Sequence, residues 1–565
     1  MKRLHGLLLG AALVVGARSD AAPEGAGAIE GAGAFAKTVA ALSPTRLTSA
    51  PKLDRAIATY FGTVATQRTY IQTDKPLYQP GETVWFRTDL RTAKTLLGGP
   101  PVGATVQLLS PRGAIVQAKR VLVQNGVARN DFALDAGIEG GEYTIQLVLP
   151  SGATDSKKII VNTYEAPRLM KTLELLRKAY GPGDPVSAAL EIKRTTGEPF
   201  GDRAATAVVA IDDAEVARVP VKTDKDGKAL VKFQLPASIA RGDGLLTVLV
   251  EDAGVTESIQ KRIPIAMNQL ALAVFPEGGD LVEDVPGRVY FMARSLIGKP
   301  ADIDGRVVDQ AGRQVATFSS IHDGMGRFEL QPAPGSRYHL EVTRPANIVT
   351  RIELPAAKAD GCVLRSLESR AADTIRVAAI CKTARQLQIE ATLRETRLAG
   401  GAFAVEAGKP ALVELPVTTG MQGAARVTLF DDRQAPLAER LVYLGRGASL
   451  KVAITPDRAT YAPRDRVKLR VRTTDAHGRP VKASVGLAVV DDTVLSFADD
   501  KSARVLAHVY LEPELGATAA DPIEEPNFYF GDKPEAAAAM DALLATRGYR
   551  RFEWRHVLPA DRSQP

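Results

Sequence analysis

The sequence predicts an all-β chain of tandem β-sandwich domains with a short helix near its C-terminal end. Three observations carry that reading. Short alternations of apolar and polar residues recur along the 565 residues, and a period of two marks a strand with one buried face. Turn phrases of similar wording follow each alternation. Successive units open at Tyr78, Tyr180 and Phe275, roughly a hundred residues apart, and the last opening, at Tyr461, follows after nearly twice that interval. Such a spacing suits sandwiches of about seven strands and is too long for a solenoid turn.

Length alone exceeds what a single hydrophobic core fills. A hydrophobic fraction of 45% with 24% charged residues is that of folded, soluble protein. Aromatic residues make up only 5%, so Val, Leu, Ile and Ala must build the cores. The formal charge of +7 is spread among interspersed acids and bases. No basic stripe with aromatic platforms stands out, which argues against a nucleic-acid partner.

Taken in order, residues 1–22 read as a secretory signal. Lys2 and Arg3 precede a short apolar run from Leu7 to Gly16, with cleavage expected after Ser19 or Ala22. The run is too short to span a bilayer. An exported protein is expected, periplasmic or extracellular, with no integral membrane segment after signal removal. Residues 23–65 form an Ala/Gly-rich lead-in, with a helix expected over Leu53 to Tyr60.

The first sandwich is placed at 66–165. Pro80 and Gly81 supply a turn. Val84, Phe86 and Leu90 then point inward, and Trp85 falls on the outer face, in need of cover. Val106–Leu109, Ile115–Val123 and Tyr143–Leu149 are further strands, punctuated by Asn125-Gly126 and Gly140-Gly141. The second, 166–268, opens at Tyr180 and continues through Val186, Ala188, Leu190 and Ile192. The third, 269–346, opens at Phe275 and runs on through Val289, Phe291 and Ala293. The fourth, 347–447, holds both cysteines. The fifth, 448–510, opens at Tyr461 and places Val467, Leu469 and Val471 inward between outward Lys468, Arg470 and Arg472.

Gly197-Glu-Pro199, Gly298-Lys-Pro300 and Gly478-Arg-Pro480 recur as hairpin turns. Residues 511–565 supply a linker, a helix and a tail, with Pro- and acid-rich texture across 500–533. Pro534 starts the helix, Ala536 to Thr546 propagate it, and Gly548 ends it.

Cys362 and Cys381 are the only cysteines. For an exported chain a disulfide between neighbouring strands is the leading reading, worth roughly 3 kcal/mol in the chain-entropy model. A reactive thiol is the alternative, and no His lies near either in sequence.

No catalytic constellation and no cofactor site emerge. The six histidines show no metal-ligand spacing. His322 beside Asp323 reads as a turn cap rather than a metal site, and Asp224-Lys-Asp226-Gly227 as a β-turn rather than a calcium loop. Asp491-Asp492 reads as the cap of a strand end. Trp85, Tyr529, Phe530 and Trp554 are candidates either for partner contacts or for packing between domains.

The stretch from Tyr70 to Val84, with Tyr70, Asp74, Lys75, Pro76, Tyr78, Pro80 and Gly81, resembles the signature of the second macroglobulin domain of the alpha-2-macroglobulin family. Phe275–Val282, His322–Phe328 and Val485–Leu495 are similar to stretches of its bacterial members. The resemblance implies tandem fibronectin III-like macroglobulin sandwiches, and in full-length members protease inhibition by entrapment. It covers only the N-terminal half of that plan. Full-length members carry a Cys-(small)-Glu-Gln thioester phrase, whereas Val-Leu-Arg follows Cys362 and Lys-Thr-Ala follows Cys381. Covalent capture is therefore not expected. The expectation is a non-enzymatic protein that binds a protein partner, a protease or an envelope protein, with 500–533 as exposed bait. The alternative is a structural scaffold or adhesive spacer of an envelope assembly.

Overall fold

A computed structural model describes residue 35 and residues 37–558, apart from 164–167, 369–372, 419, 448–449, 463, 491–503, 519–520 and 550–553. The expected signal and the Asp491-Asp492 pair lie outside the described residues. The fold is all-β, closed by a short C-terminal helix.

In the first sandwich a three-stranded sheet (Gln67–Thr73, Thr83–Thr92, Val127–Ala133) faces a five-stranded one. Val84, Phe86 and Leu90 are buried there against Val106, Leu108, Phe132 and Ile145, as their alternation requires. The Asn125-Gly126 turn has positive φ at both residues, 51° and 73°, and Gln124 and Val127 exchange two backbone hydrogen bonds of 3.0 Å across it. That is the primed turn that matches strand twist. A Cβ on Gly126 would lie 2.5 Å from the Leu90 carbonyl oxygen, so glycine is required.

The second unit packs Leu169–Leu175, Pro185–Arg194 and Lys228–Gln234 against a four-stranded sheet that begins at Ala204. In the third, seven strands form one continuous sheet wrapped around Val289, Phe291, Phe318 and Phe328. Its last strand, Arg351–Glu353, carries the unit past residue 346. The fourth packs Cys362–Ser366, Thr374–Cys381 and Ala411–Pro416 against four strands. Cys362 and Cys381 sit opposite each other on adjacent strands and are bonded.

The Gly-x-Pro turns are alike in three units. Gly197, Gly298 and Gly478 each have φ near +80°, and each donates its N–H to the carbonyl three residues earlier, at 2.9, 2.9 and 3.0 Å.

Two expectations need correction. Among the described residues the fifth unit shows a hairpin, Lys451–Pro456 with Leu469–Thr474, and no second sheet. Val467, Leu469 and Val471, expected inward, are exposed there. The lead-in contains the helix expected over Leu53 to Tyr60. Helix α1 (Pro51–Thr63) buries Leu53, Ile57 and Phe61 against Phe430 and Trp554, and Thr48 bridges to Ala402 of the fourth unit.

The second correction concerns 500–533, expected as an exposed linker. Its described part is packed: α2 (Val505–Tyr510) is followed by buried Leu511, Leu515, Ile523 and Tyr529. Helix α3 (Ala536–Thr546) lies where the sequence placed it. Being Ala-, Leu- and Met-rich on all sides, it is buried between the third and fourth units, against Tyr290, Met325 and Leu441.

Candidate functional site

Three features are built strongly enough to consider as sites. The first is the signature phrase. Leu77–Tyr78 leaves the three-stranded sheet and adds in parallel to Thr154–Val161 of the opposite sheet, so the phrase crosses between the layers. Tyr78 is fully buried and donates to Asp74 Oδ1 at 2.6 Å. Its own oxygen accepts the Lys75 N–H at 3.2 Å. Lys75 reaches Glu82 Oε2 at 2.6 Å, and Gly81 takes φ +86° in the turn. Burial, then Asp74, pushes the Tyr78 phenol well above its ordinary range, which keeps the proton on.

The same corner returns twice. The Arg177 N–H donates to the Tyr180 oxygen at 3.0 Å. The Arg458 N–H donates to Tyr461 at 3.1 Å, and Tyr461 donates to Asp457 Oδ1 at 2.6 Å. At Tyr78 these bonds hold a chain crossing between the two sheets in place.

The second feature is a buried ionic junction between the third unit, the fourth unit and α3. Glu277 accepts from the Ser366 N–H at 2.9 Å and from Arg440 Nε at 3.1 Å. Tyr290 donates to Asp541 Oδ2 at 2.6 Å, and Arg327 pairs with the same oxygen at 2.7 Å. Arg440 bonds Asp541 as well. Arg365 pairs with Glu329 Oε2 at 2.8 Å and lies 3.9 Å from the Phe35 ring centroid.

Burial alone would raise the Glu277 carboxyl, but Arg288 and Arg440 hold it below the usual range. Asp541 is held down in the same way by Arg440 and the Tyr290 hydroxyl against its burial. Burial and Asp541 push Tyr290 up to about 12. Glu277 and Asp541 therefore stay charged at neutral pH, and each carboxylate faces guanidinium groups: Glu277 accepts from Arg440 and lies 3.5 Å from Arg288, while Asp541 pairs with Arg327 and Arg440. This is a lock rather than an acid–base pair.

The third feature is the open hairpin. Residues directly opposite across an antiparallel ladder share a face. Val452, Ile454 and Pro456 therefore share one face with Thr473, Val471 and Leu469, while Lys451, Ala453 and Thr455 share the other with Thr474, Arg472 and Arg470. Ile454 is 57% exposed and Val452 49%, on what is by pattern a core face. The hairpin is tethered where the Arg87 guanidinium donates to Ser484 Oγ at 2.8 Å.

Comparison with known proteins bears on the first feature. Residues 68–161 match the model of the MG2 domain, which spans the strands and the Tyr78 crossing just described. The first sandwich is thus an MG2 domain. It is 24% identical over 212 residues to the alpha-2-macroglobulin of Ralstonia nicotianae, a match covering 34% of this chain and 13% of that protein. It is similar to the solved trypsin-activated alpha-2-macroglobulin of Escherichia coli at 15% identity and TM-score 0.42, covering 77% of this chain and 34% of that one. The Salmonella alpha-2-macroglobulin reacted with methylamine gives 16% identity, TM-score 0.33, and coverages of 73% and 32%. The chain thus spans about a third or less of these relatives.

In this MG2-bearing chain the four aromatic candidates for partner contacts separate. Tyr529 is buried beside His322, and Trp554 is buried on Phe430 and donates to Glu439 Oε2 at 2.9 Å. Phe530 is half-buried, edge-on to Tyr443. All three serve internal packing. Trp85 alone faces solvent, at 60% exposure. His322 stacks on Phe528 at 3.8 Å, and Asp323 binds Lys178. Asp224 Oδ1 accepts the N–H groups of Asp226 and Lys228, so that phrase is a turn. Among the described residues no cluster could hold a metal ion, and no helix is long and apolar enough to cross a membrane.

Sequence reasoning missed the junction. Glu277 sits in the Phe-Pro-Glu-Gly-Gly phrase singled out by resemblance, but its hydrogen-bond partners Ser366 and Arg440 lie 89 and 163 residues away in the chain. A lone glutamate between Pro and Gly-Gly, inside an otherwise apolar opening, was the one available signal.

Proposed function

We propose that this chain is an exported, non-catalytic protein that binds another polypeptide in the cell envelope, in the manner of a macroglobulin-type protease-binding factor without a covalent trap. The observation that supports the reading is the hairpin Lys451–Pro456/Leu469–Thr474, whose apolar side chains are exposed and which, among the described residues, pairs with no further strand. Both cysteines are consumed in one disulfide, so neither supplies a thioester. The carboxylates of the junction are held by guanidinium groups from neighbouring elements, an arrangement that suits a structural tie better than acid–base chemistry. Export rests on the residue pattern of 1–22.

A bait at 500–533 is not part of the reading, because the described residues of that stretch are packed. The test is direct binding of the full mature chain, immobilised, to a panel of purified proteases and to defined envelope proteins. Reversible binding of a protease, active or inactivated, supports the protease-binding form. Binding only to envelope proteins moves the function to a scaffold. Failure to bind any of them at micromolar concentration overturns the proposal.

A further inference from the structure

We infer that the hairpin Lys451–Pro456/Leu469–Thr474 is a strand-addition site for an extended polypeptide whose side chains alternate apolar and acidic, and this rests on the protein-binding reading above. Four observations lead there. Among the described residues the strand Lys451–Pro456 is an edge: its sheet has two strands, and the other side of Leu469–Thr474 is occupied at one end by Val481, whose N–H donates to the Thr473 carbonyl at 3.1 Å. An edge presents a row of backbone donors and acceptors that an incoming strand can pair.

The face above that edge is apolar and uncovered, with Val452, Ile454, Leu469 and Val471 each more than 40% exposed. In the second unit the matching strands Leu169–Leu175 and Pro185–Arg194 bury the corresponding side chains under a four-stranded sheet. Apolar side chains from an added strand would extend the open face.

The opposite face is basic. Residues 451–490 hold nine Lys and Arg against three Asp, a surplus of six charges out of the chain's net +7. Arg458 and Arg479 pair with Asp465 and Asp475. Among the described residues no carboxylate pairs with Lys451, Lys468, Arg470 or Arg472. This concentration corrects the sequence view of evenly interspersed charge. The residues opposite the two arginines on the edge strand are small: Thr455 faces Arg470 and Ala453 faces Arg472. Each guanidinium can therefore reach across the edge strand toward a carboxylate on its far side.

Parity then sets the ligand. Because successive side chains alternate faces, a strand that puts Val, Ile or Leu on the open face puts its intervening residues under Lys451, Arg470 and Arg472, where Asp or Glu fits. A second copy of this chain is disfavoured, since pairing the same edge brings two such basic faces together. A bilayer surface fails because the apolar and basic faces point in opposite directions.

The test uses the full mature chain and two labelled hexapeptides, Val-Glu-Ile-Glu-Val-Glu and Val-Lys-Ile-Lys-Val-Lys, followed by fluorescence anisotropy. The acidic peptide is expected to bind at least ten times more tightly than the lysine peptide. Arg470→Glu with Arg472→Glu should weaken it at least tenfold, and Ile454→Lys should do the same through the other face. All three side chains are exposed, and an unchanged melting temperature confirms that the variants fold. Equal binding of both peptides, or of neither, overturns the site. So does a concentration-dependent dimer in sedimentation that Ile454→Lys dissolves, or binding to phosphatidylglycerol vesicles in place of peptide. If the Arg470/Arg472 variant still captures the protease or envelope protein found above, the protein-binding reading stands and this site falls.

Discussion

The Tyr78 phenol donates to Asp74 Oδ1 at 2.6 Å inside the first sandwich, and the same oxygen accepts the Trp85 N–H at 3.0 Å. One carboxylate thus ties the crossing segment to the strand that follows it. Tyr78→Phe removes the donor and leaves a partly buried carboxylate short of a partner, at a cost of about 1–3 kcal/mol. Tyr461 makes the same bond to Asp457 at a half-exposed position, where water replaces it. Tyr461→Phe should cost less than about 0.5 kcal/mol. Calorimetric melting of both variants checks this, and equal shifts would contradict a clamp that depends on burial.

Arg440 and Asp541 join the fourth unit to α3, and Glu277 holds Arg440 from the other side. Asp541→Ala leaves the Tyr290 hydroxyl and two guanidinium groups short of an acceptor. Breaking a buried pair from one side typically costs about 3–5 kcal/mol. Because α3 is seated by this junction, the variant is expected to lose protease resistance first at its C-terminal segment. Timed proteolysis with mass spectrometry reads the order of cleavage, and a first cut inside the first or second sandwich would refute the assignment.

How much of this was legible in the chain follows from where each signal is stored. Period-two alternation at Thr83–Thr92 and Pro185–Arg194, the Asn125-Gly126 turn and the three Gly-x-Pro turns are local rules written within ten residues. They predicted strands and turns that the structure contains. Helix α3 was equally local, with Pro534 before it and an unbroken Ala/Leu run.

The fifth unit was legible only as a hairpin among the described residues, because Val467, Leu469 and Val471 have the pattern of a core face whether or not a covering sheet exists. Alternation reports what a strand is suited to, and cover is a property of other residues. Tyr529 and Trp554 were ambiguous for the same reason. The Glu277–Arg440–Asp541 junction was invisible, since its members are brought together only by packing among three separate elements.

The disulfide links Cys362 and Cys381, which close a short loop within one sheet of the fourth unit. Replacing both by Ala frees that loop in the unfolded chain and is expected to lower stability by roughly 3 kcal/mol. The loss should be confined to the fourth unit and to what rests on it. Hydrogen exchange can localise it: strands Thr374–Cys381 and Arg385–Leu393 should exchange faster, while Val102–Leu109 is unchanged. Uniform acceleration would mean that the sandwiches unfold as one body.

His508 on α2 ties the C-terminal segment to the first sandwich. Its Nδ1 is 2.8 Å from Glu512 Oε2 and its Nε2 3.6 Å from Asp155 Oδ2, with the ring 5.4 Å from that of Tyr70. Burial would lower the imidazole, but Asp155 and Glu512 outweigh it and raise it from 6.5 to about 9. A base whose folded pKa is raised stabilises most when it is protonated in both states. The contribution is therefore fully present below pH 6.5 and fades as pH climbs to about 9. Asp155, held low by His508 against its own burial, adds stability that is lost only as pH falls below its ordinary value of 3.8.

Glu390, raised to about 8 by burial and Asp54, weakens a different contact between pH 4.5 and 8, so the wild-type profile alone would mix the two. Subtracting the His508→Gln profile removes that background. The difference in urea midpoint should be largest near pH 6 and shrink toward zero by pH 9, and a difference constant across this range would show that His508 acts by packing on Tyr70 rather than by its charge.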